Sequence, residues 1–323
     1  MKPDSKSDMK PQTENLAKRA TATTLLDKVR LAARRHIDAS GLRSAKVWVV
    51  MGTLSLAIIF TGHSASTRYG LLIGFLLALS LNSIVFFYGD LRLSNLFTGH
   101  ELEGRDPWGL LRQVQELARK IGVRAPHVVL IESETPLAFS AGLIPTRSTI
   151  FISVALIEKL EPAELTTVLA HELIKFKSDL TASATAASAL AGLLSHTAST
   201  LDDVVMLRFL NRKKGLTRGG IAKGPMTLLV SPFVALLIRS SVARSAVLEA
   251  DGETVRLTGD GRSFAQALYK LDAYVKTRPV KMNIAEAHLF TVSPLSNSTF
   301  WHFASAQPSL EVRVKNITGR FPV

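Results

Sequence analysis

Val168-Leu-Ala-His-Glu-Leu-Ile-Lys-Phe-Lys-Ser-Asp179 is the stretch on which the reading of this chain turns. His171 and Glu172 follow an apolar run, as on a metal-binding helix. In the H-E-x-x-H pattern two histidines four apart share one helix face and grip a zinc ion. The glutamate beside the first histidine activates the metal-bound water. Here the second histidine position holds Lys175. A lone His-Glu pair is a two-residue match, and by itself it carries no chemistry.

Working outward, Glu161-Pro162 opens the helix that holds this stretch, since proline is favoured at a first helical position. Before it, His127 to Ile131 (HVVLI) and Ser148 to Val154 (STIFISV) read as short strands. Asp106-Pro107-Trp108 reads as the start of a helix running to about Ile121, with Leu110, Leu111, Val114, Leu117 and Ala118 at helical spacing. After the stretch come two apolar segments, 182–194 (ASATAASALAGLL) and 226–238 (MTLLVSPFVALLI). Each is short for a membrane span, and the loop between them carries six basic residues, which resist translocation. They read either as a hairpin dipping into a bilayer or as helices packed on the soluble part. Residues 243–323 read as helix, helix, loop, helix, with Phe264 to Asp272 amphipathic and Leu310 to Ile317 closing the chain.

The N-terminal third has a different character. Residues 1–46 are basic and partly disordered by composition, and Leu25 to Ile37 has the pattern of a basic amphipathic helix. Val47 to Gly62 and Tyr69 to Gly89 follow, 16 and 21 residues without a charge. A bilayer core takes about 20 apolar residues, so 47–89 reads as a transmembrane hairpin. Basic residues flank it on both outer sides, and the connecting loop has Arg68 alone. The positive-inside bias then places the N-terminus and everything after Asp90 in the cytoplasm; the expected location is the cell (inner) membrane, crossed more than once.

The composition agrees. The chain has 323 residues, is 47% hydrophobic and carries a formal charge of +13. Anionic lipid is the partner that such a charge beside a membrane anchor selects. No nucleic-acid motif accompanies it, so no nucleic-acid partner is expected. The absence of cysteine excludes disulfides and thiolate metal sites. The other histidines, His36, His63, His100, His127, His196, His288 and His302, show no ligand spacing with one another.

In order along the chain, these features resemble the HtpX-like family of membrane-bound zinc metallopeptidases. The resemblance rests on the apolar hairpin, Glu116-Leu-Ala-Arg-Lys-Ile-Gly122, Phe139-Ser-Ala-Gly142, Leu160-Glu-Pro-Ala-Glu-Leu165 leading into His171-Glu172, and Pro232 to Ile238. It continues through Glu249-Ala-Asp251, Leu257-Thr-Gly-Asp260, His288-Leu-Phe-Thr-Val-Ser-Pro-Leu295 against H-L-F-I-x-N/S-P-L, and Pro308-Ser-Leu-Glu-Val-Arg313. It implies a mainly α (α+β) fold: the hairpin, then a zincin-like helical metallopeptidase domain with a small β-sheet over residues 90–323. It also implies that Thr149, Ile150, Phe151 and Ile152 form an edge strand able to pair with extended peptides.

The departures from that pattern fall on the chemistry. The second zinc histidine is Lys175, the glutamate ligand of the later helix is Val247, and a late histidine is Gln307. His171, Glu172, Asp251 and Arg313 remain in their places. Valine has no lone pair, and a protonated lysine has no acceptor. An ammonium about 4 Å from a cation is repelled by roughly 4 kcal/mol per unit charge product at an effective dielectric of 20. The residues thus predict a pseudoprotease without cofactor, in which His171 and Glu172, the metal-ligand and general-base positions, are vestigial, Arg313 keeps its family motif position beside the catalytic set, and Lys175 bonds Glu172 at i, i+3. Such a protein would bind or scaffold membrane or misfolded polypeptides. Two other readings stay open here: an active zinc endopeptidase of membrane-protein quality control, and a basic membrane anchor for an unrelated cytosolic partner.

Overall fold

The structure is a computed structural model. It describes residues 49, 51–65, 67–94, 97–104, 106–143, 148–209, 224–280, 282, 284–294 and 307–319. The expected N-terminal amphipathic helix and His302 lie outside the described residues.

The chain is mainly helical with one small mixed sheet. Helix α1 (51–65) and helix α2 (Thr67–Ser94) coincide with the two apolar segments. They approach so closely that a Cβ on Gly62 would stand 2.3 Å from the Gly70 carbonyl oxygen. Glycine there is what permits backbone-to-backbone packing. Helix α2 turns Leu72, Ile73, Phe75 and Leu77 outward, each more than half exposed. Among the described residues no single helix is both long and apolar enough to cross a bilayer.

Strand β1 (Gly99–Glu101) leads through helix α3 (Leu110–Ile121) to β2 (His127–Ile131). The helix starts four residues later than its sequence suggests. Asp106 lies ahead of it and accepts hydrogen bonds from the Leu110 and Leu111 amides at 2.9 and 2.7 Å. Asp106 caps the turn from outside, while Pro107 and Trp108 form the approach.

Strands β3 (Ala138–Ala141) and β4 (Thr149–Ser153) complete the sheet in the order β1-β2-β4-β3. Strand β4 pairs parallel with β2 and antiparallel with β3. Thr149, Ile150, Phe151 and Ile152 are therefore interior strand residues, which corrects the edge-strand expectation. The physical reason is that both hydrogen-bonding sides of β4 are already used, so no peptide can add to it. The run Ile150-Phe151-Ile152 is buried on both faces, as an interior strand must be.

Ser153 then caps the short helix α4 (Val154–Lys159) through its hydroxyl, and α5 (Pro162–Lys177) follows. Helix α5 is the centre of the molecule. It packs on α3, on α8 (Arg244–Thr258), on α9 (Gly261–Thr277) and on β3. Val168, Leu169, Leu173 and Ile174 are fully enclosed. A helix buried on all sides carries any polar side chain into the core with it. It ends in a tight turn at Asp179, held at a φ of 53°, a left-handed conformation that aspartate tolerates.

Helices α6 (Leu180–Phe209) and α7 (Pro225–Ser241) form the second helical hairpin. The two short apolar stretches are thus parts of longer helices that pack on each other, with α6 also against α2. Buried Asp202 of α6 receives the Met226 and Thr227 amides and the Thr227 hydroxyl at 2.8, 2.8 and 2.6 Å, capping α7 from its partner helix. Leu228, Leu229, Phe233 and Leu236 on α7 face outward. Helix α10 (Ile284–Ala287) and the closing helix α11 (Leu310–Thr318) complete the fold, with α11 packed on α8 and α9.

Candidate functional site

Three elements bring the sequence-flagged residues together: α5, α8 and the start of α11. Helix α5 carries His171, Glu172 and Lys175 inward. Glu172 is fully buried, His171 is 2% exposed, and the Lys175 side chain is 12% exposed. The ammonium of Lys175 therefore does not reach for solvent. It donates to Glu172 Oε2 at 2.7 Å and to the Leu289 carbonyl at 2.8 Å. The other carboxylate oxygen, Oε1, accepts from the Thr291 hydroxyl at 2.7 Å.

Helix α8 supplies Val247, Asp251 and Thr254. Arg313 at the start of α11 makes a two-pronged ion pair with Asp251, Nε to Oδ2 at 2.8 Å and Nη2 to Oδ1 at 2.7 Å. Both partners are buried. The third nitrogen, Nη1, donates to the Thr291 carbonyl at 2.6 Å. His171 Nδ1 lies 3.5 Å from Asp251 Oδ1 and 3.4 Å from the Thr254 hydroxyl, and its ring packs 5.4 Å from that of Phe264. The four charges, Glu172 and Asp251 against Lys175 and Arg313, sum to zero, which is what a low-dielectric interior requires of buried ions.

The surroundings set the protonation states. Burial, then the positive fields of Arg313 and Lys175, hold the His171 pKa well below the usual histidine value, so the ring is neutral. Lys175 is also pulled below the ordinary lysine value by burial, against the opposing pull of Glu172. The ion pair and hydrogen bond with Glu172 favour the ammonium form and so oppose that pull.

A cavity of about 20 Å³ lies beside these groups, room for about one water. His171, Lys175, Val247, His288 and Gln307 all line it. Val247 thus stands on the wall of the same cavity as His171, where the resemblance places a carboxylate ligand. Glu249, two residues on, is on the exposed side of α8. His288 bonds the Ala184 carbonyl through Nε2 at 3.0 Å.

The resemblance implies a zinc ion here, and the residues do not fit one. Lys175 presents an ammonium and Val247 an isopropyl group. Both oxygens of Glu172 are engaged by Lys175 and Thr291, and both of Asp251 by Arg313. Of the three ligand positions that the resemblance implies, only His171 presents a donor side chain. Among the described residues no cluster of three or more His, Cys, Asp or Glu side chains is placed to hold a metal ion.

Sequence reasoning missed Thr291, Thr254 and the role of Gln307, which donates through Nε2 to the Phe290 carbonyl. One signal was available. Thr291 stands where the resemblance expects isoleucine, so a hydroxyl replaces a hydrocarbon at a buried position. That hydroxyl and Lys175 now grip the same carboxylate.

Comparison with known proteins gives the frame. The model of peptidase family M48 matches residues 107–321. A protease HtpX homolog of Pelotomaculum thermopropionicum is 28% identical over 276 residues, covering 85% of this chain and 98% of its own. One from Aquifex aeolicus is 29% identical over 252 residues, 77% of this chain and 83% of its own. The crystal structure of S. mikatae Ste24p aligns over 88% of this chain and 67% of its own, with a TM-score of 0.46 and 14% identity.

Proposed function

The chain belongs to peptidase family M48, in its HtpX-like branch, and from that premise we propose that it is a membrane-bound pseudoprotease. It keeps the peptidase scaffold, does not hydrolyse peptide bonds at the His171 site, and acts by binding membrane or misfolded polypeptides. The observation that carries this reading is the Lys175 ammonium 2.7 Å from Glu172, in a cavity whose other expected ligand position is Val247. A general base works only while its lone pairs are available to a water. Here both oxygens already accept hydrogen bonds from protein groups.

The membrane part of the proposal has its own support. The outward apolar side chains of α2 and α7 suit contact with lipid tails, and the charge of +13 suits anionic headgroups. The charge distribution around 47–89 favours an orientation with the N-terminus and the peptidase-like part on the cytoplasmic side.

The test is metal content and cleavage together. Protein purified in mild detergent, without chelator, is assayed for zinc and for cleavage of casein with and without added zinc. Well under one zinc per chain and no zinc-dependent cleavage are expected. A stoichiometric zinc with chelator-sensitive cleavage overturns the proposal in favour of an active endopeptidase.

A further inference from the structure

We infer that the segment Leu289–Thr291 is a built-in occupant of the strand-pairing position beside β3, latched there by side chains, and that it competes with any extended polypeptide for that edge. Strand β3 spends one side on β4 and is the last strand of the sheet. Such an edge presents N–H and C=O groups ready to pair with another strand. On this molecule the outer side is already taken by the chain itself. Phe290 bridges antiparallel to Phe139, and the Thr291 amide donates to the Ala138 carbonyl at 2.9 Å.

Each carbonyl of the segment is also held by a different side chain: Leu289 by Lys175, Phe290 by Gln307, and Thr291 by Arg313. The Thr291 hydroxyl reaches both the Ala138 carbonyl and Glu172. The Phe290 ring packs against Phe139 at 4.5 Å and against Phe97 at 6.3 Å. This is how a bound peptide is held on a sheet edge: main-chain bonds to the strand, an aromatic anchor, and donors for the remaining carbonyls. Gln307 is the weakest of the three fastenings, because it is neutral and partly exposed, whereas Lys175 and Arg313 are charged and locked in ion pairs. Freeing the edge therefore begins with Gln307. The inference rests on the geometry at β3 and not on the zinc reading, whose metal assay is a separate measurement.

Hydrogen exchange on the full chain in detergent tests it, comparing wild type with Gln307→Ala. Exchange in 289–291 should quicken about tenfold, the equivalent of one lost hydrogen bond, while the amides of α5 and β4 keep their wild-type rates. A fluorescein-labelled peptide of alternating threonine and valine with lysine ends should then bind the variant about tenfold more tightly, in proportion to the open fraction. Should Gln307→Ala fail to fold, Gln307→Glu keeps the size and removes the donor. The inference is overturned if exchange at 289–291 is unchanged, or if the segment opens only together with α5 and β4. Opening of the segment without tighter peptide binding overturns it as well.

Discussion

Lys175 Nζ and Glu172 Oε2 stand 2.7 Å apart, one helical turn from each other, with the carboxylate fully enclosed and the ammonium nearly so. An ammonium in that position compensates the charge of a carboxylate that would otherwise be stranded in the core. The pair also ties α5 to the loop above it, through the Leu289 carbonyl and Thr291.

Removing one member of such a pair leaves the other as an uncompensated buried charge. Lys175→Ala is expected to lower stability by about 3–5 kcal/mol, against less than about 0.5 kcal/mol for the exposed Lys159→Ala. Denaturant midpoints in detergent measure both. Lys175→Met combined with Glu172→Gln should recover most of the loss, because no lone charge remains. Equal midpoints for the two lysine variants would show that the pair contributes nothing.

The placement of Val247 on the His171 cavity permits a gain-of-function experiment. Lys175→His with Val247→Glu supplies the two missing donors and releases Glu172. Roughly one zinc per chain is expected in the double variant and far less in either single one, read by elemental analysis. A double variant that folds and stays metal-free would mean that Val247 does not mark the ligand position.

The Asp251–Arg313 pair is fixed by geometry as much as by charge. Arg313→Lys keeps the charge but loses the two-pronged contact and the bond to Thr291. Both Arg313→Lys and Arg313→Ala should destabilise the fold, with the alanine variant losing about 3–5 kcal/mol. Thermal unfolding ranks them. A lysine variant as stable as wild type would reduce the role of Arg313 to its charge.

The pH dependence of stability has a definite sign. His171 has its folded pKa depressed, so between that value and the ordinary value near 6.5 the unfolded chain binds the extra proton. Stability therefore falls as pH drops below about 6.5, by at most about 1.4 kcal/mol per pH unit for this one group. Unfolding curves from pH 7.5 to 5 should be steeper for wild type than for His171→Gln. Parallel curves would indicate a solvated, normally titrating ring.

Gly224 and Asp202, between α6 and α7, are coupled by space. A Cβ on Gly224 would stand 2.1 Å from Asp202 Cγ. Gly224→Ala should disrupt the cap on α7, and Asp202→Ala should cost about 0.5–2 kcal/mol as a lost N-cap. The two effects should be less than additive, since removing the carboxylate also removes the clash. Additive losses in a double-mutant cycle would separate the two residues.

The departures from the resemblance are concentrated where the structure makes contacts. Lys175, Gln307 and Thr291 lie far apart in the chain, yet all three meet the 289–291 segment or the Glu172 carboxylate. Taken singly, Lys175 and Gln307 each read as the loss of a family histidine. Together they are a hydrogen-bonded set that fills a space and satisfies its polar groups.

What the sequence determined by itself was local. Apolar periodicity and turn residues placed α5, β2, α9 and α11, and the donor atoms of Lys175 and Val247 were known from their identities alone. The tertiary structure decided everything that depends on neighbours distant in the chain. It placed β4 inside the sheet rather than at its edge, because strand order is set by which strands pair and not by the pattern along any one of them. It chose the core over solvent for Lys175, because only folding brings the Leu289 carbonyl, 114 residues away, within reach of the ammonium.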